Sequence, residues 1–103
     1  MKKASACRNL DEIRAAINSI DREIVKLFGQ RTQYARAAFS FKTDRKSIGR
    51  PAHHRKVVAQ RKTWARLSGA APEMVGKIYE AVVRESKRMH LEAFRARRRK
   101  SAR

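Results

Sequence analysis

Two cations, Arg31 and Lys42, stand eleven residues apart in a stretch that otherwise reads as the apolar face of a helix. At ~100° per residue they come within about 20° of one another, with Ala35 and Ala38 on the line between them. Small residues flanked by two positive charges leave a hollow. Such a hollow suits an anion, because an inward-facing cation is tolerated only when paired and no acid shares this face. The same spacing also fits two long side chains that snorkel to solvent at the stripe's edge. Arg14 lies a further seventeen residues upstream of Arg31. It is turned by roughly 100° and displaced by more than ~20 Å, so the two cannot grip one small ligand within one chain. Across an antiparallel dimer they can; alone, Arg14 reads as an ordinary exposed residue. Ser86 and His90 lie one turn apart, at or beside the stripe Val75, Ile78, Val82, Met89 and Ala93, and both donate hydrogen bonds. A histidine beside an apolar face also reads as a satisfied boundary residue. His53 and His54 do not read as a metal site, since neighbours diverge by ~100° on a helix and no Cys, Asp or Glu stands at ligand spacing. No Gly-rich phosphate loop, nucleophile elbow or pair of carboxylates occurs, so neither covalent nor metal-assisted chemistry is expected, and no cofactor.

These residues must be positioned by helices. From Leu10 the apolar positions run Leu10, Ile13, Ile17, Ile20, Ile24 and Leu27, then Arg31, Tyr34, Ala38 and Phe41, in alternating steps of three and four. Asn9 followed by Glu12 resembles a capping box, which predicts a first helix over about 9–42. A helix of that length spans roughly 50 Å, against a radius of gyration of about 13 Å for a compact 100-residue domain. Its own chain cannot cover it, and pairing of two first helices in a dimer is the economical solution. A second helix opens near Pro51, carries Val57, Val58, Trp64 and Leu67, and stops at Ser68 and Gly69. A third opens at Pro72 and repeats Val75, Ile78, Tyr79, Val82, Val83, Met89 and Phe94. The one loop expected is "TDRKSIGR", residues 43–50.

The chain has 103 residues, enough for one domain with a small core. Net charge is +18, from 27 Lys and Arg against nine acids, and no acid stands between Arg45 and Pro72. An anionic partner follows: nucleic acid, an acidic membrane surface or a small polyanion. The closing "RARRRKSAR" holds six cations in nine positions and reads as a solvated, disordered tail over 95–103. Cys7 is the only cysteine, which excludes an intrachain disulfide and fits a reducing compartment. No apolar run follows the N-terminal lysines or approaches the ~18 residues of a membrane span, and a cytoplasmic protein is expected.

"LDEIRAAINSIDREIVKLFGQRTQYARAAFSFK" resembles the first helix of the all-helical chorismate mutase family, which includes an isochorismate-pyruvate lyase branch. The pattern is "IR" early, "ID.EIV.L...R" midway and Lys42 at the end, and the likeness covers about residues 7–94. It implies an all-α fold of three helices with a long first one, in an intertwined homodimer with two active sites. In each, Arg14 would reach over from the other chain, while Arg31 and Lys42 come from the main one. Arg14 and Arg31 would hold substrate carboxylates, Lys42 would point at the ether oxygen whose bond breaks, and Ser86 matches a serine beside a carboxylate. Two departures stand out. The family usually has glutamine where His90 stands. It also has an arginine near the start of the second helix, often followed by glutamate, where this chain reads "RPAHHRKVV". An ungapped reading puts His53 in the arginine's place, with Arg50 or Arg55 as substitutes. The missing glutamate contacts the substrate's ring hydroxyl in mutases and is absent from the lyase branch too.

The resemblance therefore implies rearrangement of chorismate to prephenate, with no cofactor, no metal and no membrane. Lys42 and His90 would donate to the ether oxygen, and Arg31, Arg14, Ala35 and Ser86 would shape the rest of the site. The alternative within the family is an isochorismate-pyruvate lyase giving salicylate and pyruvate from the same cationic pocket. A mutase for an amino-substituted chorismate and a catalytically dead regulatory member are further variants. The rival outside the family is a basic helical protein binding nucleic acid, which accounts for the charge but not for cations on an apolar stripe.

Overall fold

The computed structural model describes residues 3–42, 46 and 48–101. A 3-10 turn at Ala4–Ala6 precedes three α-helices, α1 (Leu10–Phe39), α2 (Pro51–Ser68) and α3 (Pro72–Ser101), and no strand occurs among the described residues. The chain divides into two compact units, Met1–Ala35 and Arg36–Arg103, and each is described by itself.

The first unit is essentially α1. Asn9 Oδ1 accepts the Glu12 N–H at 2.9 Å, which satisfies one of the free donors at the helix start. The Glu12 carboxylate reaches back to the Arg8 N–H at 2.7 Å, one residue beyond the usual partner of a capping box. Asp11 and Glu12 add negative charge where the helix dipole is positive. The apolar stripe is uncovered: Leu10, Ile17, Ile20, Ile24 and Leu27 are each 44–57% exposed, and no residue of α1 is buried.

The second unit is built on the α2–α3 hairpin. Gly69 ends α2 in the left-handed region (φ 79°), its N–H donating to the Ala65 carbonyl, and Ala70 N–H reaches the same oxygen at 2.9 Å. Pro72 then opens α3 two residues later, at a position where no N–H is needed. Ala65 and Gly76 are both buried, and small residues at this crossing let the two backbones approach. A Cβ on Gly76 would meet Lys62 Cδ at 3.0 Å. Lys62 also pairs with Glu73 at 3.2 Å, and Arg61 lies 4.6 Å over Trp64 and 5.5 Å from Tyr79. Ile48, Val83 and His90 complete the small core. Gly49, at φ 65°, leaves the space a Cβ would need to the aliphatic stem of Lys87.

Two boundaries differ from the sequence expectation. The first helix was expected to run to 42; α1 ends at Phe39 and the chain tightens into i→i−3 bonds, Ser40 to Ala37, Phe41 to Ala38 and Lys42 to Phe39. The Ser40 hydroxyl bonds the Ala37 carbonyl at 2.7 Å, offering the backbone an alternative to another α turn. Ideal-helix arithmetic therefore does not reach Lys42. The second difference is the tail, where α3 continues as helix through Ser101 rather than dissolving after residue 94. Arginine and alanine are good helix formers, no Gly or Pro follows Gly76, and Arg98, Arg99 and Lys100 sit where the helix dipole favours cations. Of the loop expected over 43–50, residues 43–45 and 47 lie outside the described residues.

Candidate functional site

In the first unit, Arg14 is exposed on α1, while Arg31 and Ala35 are half-buried. The remaining predicted residues belong to the second unit. Its most organised polar cluster forms around Phe39. This ring stands 5.4 Å from the ring of His90, which is only 8% exposed, and the guanidinium of Arg97 lies 4.5 Å above it. Arg97 Nη2 also donates to the Lys42 carbonyl at 2.8 Å, so α3 holds the segment that carries Lys42. Lys42 is half-buried, as is Ser86, one turn before His90. A cavity of about 450 Å³ opens beside His90, lined by Arg36, Phe39, Met89, Glu92 and Ala93. The Glu92 carboxylate there is engaged by Arg88 at 2.8 Å, which offsets its charge.

Arg50 is the exposed N-cap residue of α2 and makes no side-chain cap bond, and His53 is exposed. The neighbouring His54 is the imidazole turned to the protein. Burial holds its pKa below the ordinary value, and the positive charges of His53, Lys87 and Lys42 lower it further. Arg55 goes with His54 into a second cavity of about 450 Å³ between α2 and α3, together with Lys62, Arg84 and Lys87 around a floor of Val58 and Val83. Ser86 and His90 do not line that cavity. Among the described residues no three of His, Cys, Asp and Glu come together as metal ligands, and no helix is long and apolar enough to cross a membrane.

The sequence reading missed Arg97, because its segment was discounted as a charged tail. A signal was present: 86, 90, 93 and 97 step by four, three and four, so Arg97 shares the face of Ser86 and His90. The structure joins the backbone of Lys42 and the imidazole of His90 through an aromatic ring and a charge-assisted hydrogen bond, while the Lys42 charge is felt at His54 and Lys42 does not line the His90 cavity. Positive charge around such a cavity suits the binding of an anion.

Residues 13–91 match the family description "Chorismate mutase type II". An isochorismate pyruvate lyase from Pseudomonas aeruginosa is 31% identical over 83 residues, covering 81% of this chain and 82% of that protein.

Proposed function

Because the chain belongs to the chorismate mutase type II family, we propose that it rearranges chorismate to prephenate in sites shared between two copies of the chain. The reaction breaks the ether C–O bond as a C–C bond forms within the same molecule, and negative charge grows on the oxygen. No proton need be moved and no covalent intermediate formed. What remains is to hold the reactive conformer and to stabilise that charge. Lys42 and His90 donate to the ether oxygen. Arg31, and Arg14 from the second copy, clamp the carboxylates, for which the planar guanidinium fork is suited. Ala35 leaves the room and Ser86 bonds a carboxylate. Each well-placed donor is worth on the order of 3 kcal/mol in the transition state.

The observation that carries this reading is the tie between Lys42 and the α3 face of His90: the Lys42 carbonyl is bound by Arg97, and Phe39, three residues before Lys42, stacks against His90. The second copy is supported by the uncovered stripe of α1, whose apolar side chains call for a partner surface.

A second reading, isochorismate-pyruvate lyase, is favoured by the name of the 31% identical relative and by the absence, near the start of α2, of the glutamate that mutases often carry there. The same ether bond breaks, so Lys42 and His90 keep their roles. Incubation with chorismate and, separately, isochorismate tests both, with products resolved by chromatography. Prephenate from chorismate is the expected result. Salicylate and pyruvate from isochorismate alone would transfer the assignment to the lyase, and no turnover of either substrate would overturn both.

A further inference from the structure

Arg97 lies outside residues 13–91, the stretch matched to the family, so membership assigns it no part. Its contacts are nonetheless with the segment that carries Lys42. Nη2 donates to the Lys42 carbonyl at 2.8 Å across 55 residues of sequence. Its guanidinium lies 4.5 Å over Phe39 and 5.7 Å from Phe94. Phe39 in turn stacks against His90, seven residues before Arg97 and about 10 Å away along α3.

We propose that Arg97 is a positioning residue: by binding the Lys42 carbonyl and stacking on Phe39, it sets the separation between the Lys42 ammonium and the His90 imidazole. The inference rests on the reading in which those two groups donate to the ether oxygen. Three physical points support it. Lys42 lies three residues beyond the last residue of α1, with its N–H in an i→i−3 bond to Phe39, the kind of helix end that frays. A guanidinium bonding that carbonyl supplies a charge-assisted hydrogen bond, roughly twice as strong as a neutral one. The planar group can present its face to a ring and its edge to an oxygen at once, which an ammonium cannot. Electrostatic catalysis is sensitive to such placement, since a shift of about 1 Å can cost ~100-fold.

The test is steady-state kinetics of Arg97→Ala, Arg97→Lys and Arg97→Met, each beside a thermal melt, with Arg97→Ala also made in the Lys42→Ala background. Arg97→Ala is expected to lower kcat by roughly 10- to 100-fold with KM changed by no more than about twofold, because Arg97 touches no substrate. Arg97→Lys, which keeps the charge without the fork, restores little. Arg97→Met keeps the stem over Phe39 without the donor and gives the same kcat loss, even if the alanine variant folds poorly. In the Lys42→Ala background the further loss disappears, since there is no ammonium left to place. A wild-type kcat in Arg97→Ala, or an equal fractional loss in both backgrounds, overturns the proposal. Full turnover by Lys42→Ala alone would instead overturn the functional reading, and this inference with it.

Discussion

Burial and the positive charges of His53, Lys87 and Lys42 hold the pKa of His54 below its ordinary 6.5. On acidification from about 6.5, the unfolded chain therefore takes up a proton at this position before the folded chain does. Stability is whole above that pH and falls as pH drops through the window down to the lowered folded value. Denaturant midpoints measured at pH 7.5 and pH 5 should thus fall more in the wild type than in His54→Gln; identical losses would show that burial and the neighbouring charges do not lower the pKa of this imidazole in the folded chain. Single residues were unevenly legible. Arg31, Ser86 and His90 could be singled out because a polar group on an apolar stripe demands an explanation. Arg97 was hidden by composition: a run of arginines reads as solvated until its contacts with Phe39 and the Lys42 carbonyl are seen.

Helix starts were legible because their signals are local. Asn9 and Glu12 mark the start of α1, Pro51 and Pro72 open α2 and α3, and Gly69 closes α2 in the left-handed conformation. Replacing Asn9 by alanine removes the acceptor for the Glu12 N–H and should cost about 1 kcal/mol, read as about fivefold faster hydrogen exchange at Glu12 if the first turn opens by itself. Unchanged exchange there would mean that the cap adds nothing. The far ends of α1 and α3 depend instead on contacts between elements. Nothing in "AAFSFK" forbids three more helical residues; α1 stops where the Ser40 hydroxyl offers the Ala37 carbonyl another partner, and Arg97 takes the Lys42 carbonyl beyond the helix end. The same Arg97 contacts anchor α3 beyond residue 94, a segment that composition alone would leave disordered.

For the whole molecule, the uncovered stripe on α1 sets the requirement. Leu10, Ile17, Ile20, Ile24 and Leu27 are each about half exposed, and covering what remains of them is worth on the order of 5 kcal/mol per chain. In the proposed dimer a second α1 would supply the matching stripe and bring Arg14 along. The net charge of +18 adds a long-range pull on a dianion, of the kind that salt weakens. In the proposed dimer, Arg14 of one chain and Arg31 and Lys42 of the other are tolerated at one site because together they hold a doubly negative substrate. Mixing two variants tests that sharing most directly. Arg14→Ala and Lys42→Ala should each lose roughly 100- to 1,000-fold in kcat alone. Unfolded together and refolded at equal amounts, they should recover about a quarter of wild-type activity, because half the dimers are mixed and each of those keeps one intact site. Full activity in either single variant, or a refolded mixture as inactive as its parts, would contradict it.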